Sequence, residues 1–241
     1  MNRISIGAQS FDDDILRQMG RRHRGADIGA AAATASDAGI TNFGIDLIAC
    51  VPGVDKRKWR ATLESALALE PKHVSVYALT VEEGTALNAK VKDGARLAPG
   101  DEAQLMFLHM AGQVLGDAGY GRYEISNYAL PGFECLHNLS CWRGAEYVGI
   151  GPAASSHLGR RRWTNAPDLG GYLDAIEGGR TPEREAEDLS NAVKATELVV
   201  FGLRMAEGVN IARVRELSGI DAADEKKLVA VFRRLMESAL V

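Results

Sequence analysis

The chain has 241 residues, 46% of them hydrophobic, with a net charge of -4 and a pI near 5.8. That is enough apolar material to fill the core of one large domain or two smaller ones. The slight acidity, with no concentrated basic face, excludes nucleic acid as the main partner.

Three cysteines, Cys50, Cys135 and Cys141, are too few for a disulfide scaffold and point to a reducing compartment. No signal peptide opens the chain, and no apolar run approaches the roughly 20 residues that cross a bilayer, so a cytoplasmic location is expected. The basic run Arg160-Arg161-Arg162 reads either as a solvated hairpin face or as an anion site.

Residues 3 to 8 alternate and carry Ile4 and Ile6, which predicts a strand almost at the first residue. Asp12, Asp13 and Asp14 ahead of Ile15, Leu16 and Met19 predict an acid-rich helix start, ended by Gly20. An alanine-rich helix follows over 26–38, then a strand over 42–49 closed by Pro52-Gly53. A helix over 56–69 with Trp59, Leu63, Ala66 and Leu67 on one side leads to a third strand over 73–79. Strands separated by helices of this length imply parallel crossover units, part of a barrel or an open sheet.

A charged loop over 80–100 precedes a long helix from Asp101 through Leu115, and a strand is expected over 123–128. From Pro131 to Asn165 the pattern is broken, Gly-rich and aromatic, as in loops and hairpins over a sheet end. A short helix over 168–176, a linker over 178–187 and three helices over 189–205, 210–218 and 223–239 complete the chain. The expected divisions are 1–130, 131–180 and 188–241.

Ligands of parallel α/β folds bind at the carboxyl ends of the strands, so Gln9, Asp46 and Thr80 are candidates to line one mouth. Arg21 could reach the same place and pair with a carboxylate. The alternative is structural, with Asp46 and Arg21 forming an ion pair and Gln9 capping a turn. The second focus is His137-Asn138-Leu139-Ser140-Cys141-Trp142-Arg143-Gly144, which collects an imidazole, an amide, a thiol, an indole and a guanidinium. Gly149 and Gly151, just beyond, could bring backbone close to a flat ligand. His23, His73, His109 and His157 have no metal-site spacing and are expected at the surface or the core edge.

Residues 3 to 11, Gly20 to His23, Asn42 to Ile48 with Pro52-Gly53, and Val74 to Thr80 resemble the oxygen-independent coproporphyrinogen III oxidase-like family of radical S-adenosylmethionine proteins. Tyr123-Glu124-Ile125-Ser126-Asn127, Cys135-Leu136-His137-Asn138, and Trp142-Arg143-Gly144 with Gly149-Ile150-Gly151-Pro152 are similar to its heme-chaperone branch. The resemblance covers essentially the whole chain in order.

The resemblance implies a partial (β/α)6 barrel, here without its N-terminal strands, and a truncated winged-helix-like helical module. It also implies a 4Fe-4S cluster, S-adenosylmethionine and heme as cofactors. By position, Gln9, Arg21 and Asp46 match residues that contact S-adenosylmethionine, and His137, Asn138 and Trp142 match a segment associated with heme. The family's cluster sits on a Cys-x-x-x-Cys-x-x-Cys loop; no such spacing occurs in this chain, so the cluster and radical chemistry are not expected in it.

Other positions also differ from the family: Cys50 replaces glycine, Val54 glutamine, Glu83 proline and Ser155 histidine. Cys141 replaces tyrosine, and reads either as an extra thiolate ligand or as a small buried side chain.

The function implied is that of a heme chaperone, binding heme and delivering it to respiratory proteins, with a membrane-associated partner and self-association as further expectations. The alternatives are a coproporphyrinogen III oxidase-like enzyme of porphyrin biosynthesis and a degenerate binding protein. Whether this chain is an enzyme is left open by its residues. Both ends read as truncated relative to the family, which would leave the strand at 3–8 as an open edge.

Overall fold

Three parallel strands form the centre of the first unit: β1 (Ile4–Gln9), β2 (Phe43–Ala49) and β3 (His73–Ala78). A computed structural model of the chain describes residues 2–84, 88–89, 99–182 and 184–237, and divides it into two units, Met1–Glu134 and Cys135–Val241. Most of the loop expected over 80–100 and the last two residues of the helix expected over 223–239 lie outside the described residues.

Strands β2 and β3 alternate regularly, whereas β1 shifts register against β2 between Ile6 and Gln9. Ile45 and Leu47 of β2 and Val74 and Val76 of β3 enter one apolar core, because successive strand side chains point to opposite faces. Ile28 and Ala32 of α2 (Gly25–Asp37), Trp59, Leu63 and Ala66 of α3 (Lys56–Leu67), and Phe107, Ala111 and Leu115 of α4 (Asp101–Asp117) cover that face. Trp59 is fully buried yet satisfied, its Nε1 donating to Phe107 O at 3.0 Å. Asp12 starts the short α1 (Asp13–Gln18) by accepting from the Asp14 and Ile15 amides, and Asp55 starts α3 by accepting from Lys58 N.

The sheet runs β1-β2-β3-β5-β4, with β4 (Gly121–Arg122) and β5 (Asn127–Ala129) both antiparallel to their neighbours. The single strand expected over 123–128 is therefore a tight hairpin. Its turn closes on Glu124, whose buried carboxylate accepts from Ser126 N at 2.7 Å and Asn127 Nδ2 at 2.6 Å. The architecture is an open α/β sheet, with three parallel strands and their crossover helices in the described residues.

The second unit holds α5 (Leu136–Trp142), a three-stranded antiparallel sheet β6 (Ser155–Leu158), β7 (Arg161–Asn165), β8 (Arg184–Asp188), and α6 (Leu169–Glu177). Three more helices follow, α7 (Asn191–Leu203), α8 (Ile211–Ser218) and α9 (Ala222–Glu237), packed through Ala195, Leu198, Val199, Val214 and Ile220. The segment read as a linker over 178–187 supplies β8. Glu185, Glu187 and Asp188 are exposed and give it no apolar alternation, but its backbone pairs with β7 along five residues, and Arg162 bridges Glu187 and Glu197.

Two predictions follow from the first unit. The outer edge of β1 meets no strand among the described residues, so the purified chain is expected to self-associate; light scattering checks this, and a monodisperse monomer would contradict it.

His73 is buried, and desolvation followed by the charge of Arg3 holds its pKa down at about 4, against 6.5 for the free side chain. The unfolded imidazole takes up a proton near pH 6.5 and the folded one only near 4. Stability is therefore fully present above about pH 6.5 and lost as pH falls toward 4, by on the order of 3 kcal/mol. Denaturant titrations at several pH values read this slope, and His73→Gln is expected to flatten it.

Candidate functional site

The alternation that buries Ile45, Leu47, Val74 and Val76 turns Ser5, Gly7, Gly44, Asp46, His73, Ser75 and Tyr77 to the opposite face of the sheet. Polar side chains therefore concentrate on the face opposite that core. Ser5 Oγ lies 2.9 Å from both Asp46 oxygens. Asp46 stands in register with Ser75, which stands in register with Asn127. His73 Nε2 lies 2.8 Å from the Tyr123 hydroxyl.

Gln9 ends β1 with φ 65°, a left-handed conformation rare for a residue with a side chain, and its amide folds back over Gly7. Such strain, about 1–3 kcal/mol, persists where the surroundings impose it and collects at ligand sites. Cys50, just past β2, has φ 60°, which accounts for the glycine that the family resemblance places there. Burial pushes its thiol pKa up.

Arg21 is exposed, past Gly20, and forms no ion pair with Asp46, whose hydrogen bonds come from Ser5. Gln9 and Asp46 thus share the sheet face, while Arg21 stands outside it in this conformation.

In the second unit, α5 carries the His137 segment. Residues four apart share a helix face, so His137 and Cys141 lie on one side and Asn138 and Trp142 on another. His137 is exposed, its Nε2 3.9 Å from Cys141 Sγ. Burial, then the neighbouring Cys135, push the Cys141 thiol pKa up, which favours a neutral, packed side chain over a thiolate.

Trp142 turns the other way. Arg204 lies over its ring at 4.3 Å and Phe201 meets it edge-on, with centroids 5.7 Å apart. Beside it Arg143 holds Glu207 through Nε at 2.9 Å and Nη2 at 2.7 Å, a bidentate pair that keeps the Glu207 carboxyl below its usual range. Neither Glu207 nor Arg204 was legible as a partner of this segment, because both lie more than 60 residues downstream. The adjacency of Trp142 and Arg143 was the one local signal.

The glycines here serve the unit's own packing. A side chain at Gly149 would lie 2.2 Å from Ser155 O, so that close approach is to a neighbouring strand of this chain. At Gly144, with φ 74°, an added Cβ would lie 2.2 Å from Leu198 Cδ2 in the core of the helices.

Comparison with known proteins now bears on this geometry. No family model matches the chain. The heme chaperone HemW of Synechocystis is 33% identical over 235 residues, covering 95% of this chain and 56% of that protein. HemW of Mycobacterium tuberculosis is 34% identical over 229 residues, covering 95% and 57%. The solved structure of coproporphyrinogen III oxidase HemN from Escherichia coli, a radical SAM enzyme, superposes with a TM-score of 0.77 at 23% identity, covering 97% of this chain and 57% of that one.

The chain belongs to the oxygen-independent coproporphyrinogen III oxidase-like family of radical S-adenosylmethionine proteins. It spans a little over half the length of the curated relatives it matches.

The cofactors this family implies can be tested against the residues present. A cluster needs several thiolates brought together, and the three cysteines have none of the family's Cys-x-x-x-Cys-x-x-Cys spacing. Among the described residues no group of three His, Cys, Asp or Glu is placed to hold a metal. These side chains do not fit the family's cluster. An exposed imidazole at His137 does suit heme iron, and the Asp46 carboxylate beside Gln9 suits hydroxyl and amine donors.

Gly144→Ala combines a positive-φ penalty with overpacking against Leu198, and is expected to destabilise the second unit by about 1–3 kcal/mol. The readout is a drop in thermal midpoint larger than that of Gly132→Ala, which shares the positive φ, at 83°, but has nothing within 4 Å for a new side chain to meet.

Proposed function

We propose that the protein is a heme chaperone, which binds heme through the second unit and delivers it to respiratory proteins. The observation that carries this is the one-third identity to proteins named heme chaperones across 95% of the chain. The exposed His137 supports it, since an imidazole at the surface can take an iron and give it up to an acceptor. The segment 131–180 would be the heme-carrying extension of a barrel domain over 1–130, followed by a helical domain over 188–241.

Gln9, Arg21 and Asp46 are proposed as the S-adenosylmethionine contacts. Asp46 would accept from ribose hydroxyls, Gln9 would bond at the strand end, and Arg21 would fold in to hold the methionine carboxylate. In this family S-adenosylmethionine supplies a radical when a reduced cluster cleaves it. No such step is assigned to these residues, because the thiols of this chain do not fit a cluster.

No helix among the described residues is long and apolar enough to cross a membrane. We place the protein in the cytoplasm, with a membrane-associated acceptor as partner.

Titrating the chain with hemin tests the reading. Saturable binding with a shifted Soret band is expected, weakened at least about tenfold by His137→Ala, the scale on which metal sites respond to lost partners. Unchanged binding in His137→Ala would remove His137 from the site.

A further inference from the structure

Beside Trp142 lies a cavity of about 50 Å³, lined among others by Trp142, Arg143, Met205, Glu207, Asn210 and Arg213. The Trp142 indole nitrogen is buried and has no hydrogen-bond partner among the described residues. A buried donor left without an acceptor costs about 1–3 kcal/mol, which an oxygen brought to Trp142 Nε1 would recover. Arg143, next in sequence, presents the planar fork that fits a carboxylate through two parallel bonds, and Glu207 already occupies it in that way.

We propose that this cavity is a carboxylate subsite, in which Trp142 Nε1 and the Arg143 guanidinium receive an acid arm of the heme and Glu207 holds the place until it arrives. The assignment to heme rests on the chaperone reading above; the carboxylate chemistry rests on the cavity itself.

Size favours an arm over a ring. A water needs roughly 10–15 Å³ of such space, so the cavity admits a carboxylate group and not a tetrapyrrole, which must lie outside it. The door is at the surface, because the Arg143 and Glu207 side chains are 39% and 50% exposed. Exchange there replaces one carboxylate by another, so Arg143 keeps a partner throughout and Glu207 is released to water. Arg213 adds a second cation, one that already lowers the Glu207 pKa. Trp142 contributes its N–H in this arrangement, its ring face being covered by Arg204.

Sodium propionate is the probe that isolates the subsite. In 1H–15N spectra of this chain, the Trp142 indole resonance is identified by its loss in Trp142→Phe, and propionate should move it saturably. Glu207→Gln, which weakens the internal competitor, should lower the midpoint by about tenfold, as expected when a charge-assisted pair becomes a neutral one. Hemin and hemin dimethyl ester, which lacks free acids, are then compared by Soret titration. Trp142→Phe should weaken hemin by about tenfold and leave the ester unchanged.

An unmoved indole resonance, or a midpoint indifferent to Glu207→Gln, would overturn the subsite whatever hemin does. Equal losses for hemin and its ester in Trp142→Phe would overturn the acid-arm assignment. A propionate response in a chain that binds no hemin would overturn the heme reading while the carboxylate site stood.

Discussion

Strict alternation in β2 and β3 is the constraint on which the first unit depends. With Ile45, Leu47, Val74 and Val76 committed to the helices, a register slip of one residue would turn Asp46 and Ser75 into the apolar core. The same commitment leaves Asp46, His73 and Ser75 on the other face. The polar face is therefore a by-product of core formation. Only Gln9 and Cys50, at the ends of their strands, require backbone that alternation does not supply, and both have left-handed φ angles.

The second unit assembles its chemistry differently. Its polar groups come from a seven-residue helix and from segments more than 60 residues away, brought together by the packing of α5 on α7. The helix holds the backbone of Trp142, and Phe201 and Arg204 fix its ring by contact, on a side of α5 away from His137. Iron ligation and acid-arm capture would then fall to different faces of one helix.

Much of the first unit was legible because its signals are local. Apolar residues at period two, Ile45 with Leu47 and Val74 with Val76, marked β2 and β3, and Gly20, Gly39 and Pro52-Gly53 marked element ends. The hairpin at 121–129 was not, because the residue that makes it, Glu124, is a carboxylate in a stretch that otherwise reads as a strand, and its turn-forming bonds reach only two and three residues on. Helix α5 was too short to show a period, and β8 has no apolar face to show. At the candidate sites, the residue types were visible in the sequence at Gln9, Asp46, His137 and Trp142. Their partners Ser5, Arg204 and Glu207 are set by tertiary packing alone.

The ladder of β6, β7 and β8 carries one further lesson. Glu185, Glu187 and Asp188 make its last strand anionic along most of its length, and the side chains described there are exposed. A foreign strand approaching that rim meets like charge before it meets a free amide, a safeguard that acid or concentrated salt would erode. The sheet of the second unit is thus fenced by its own carboxylates.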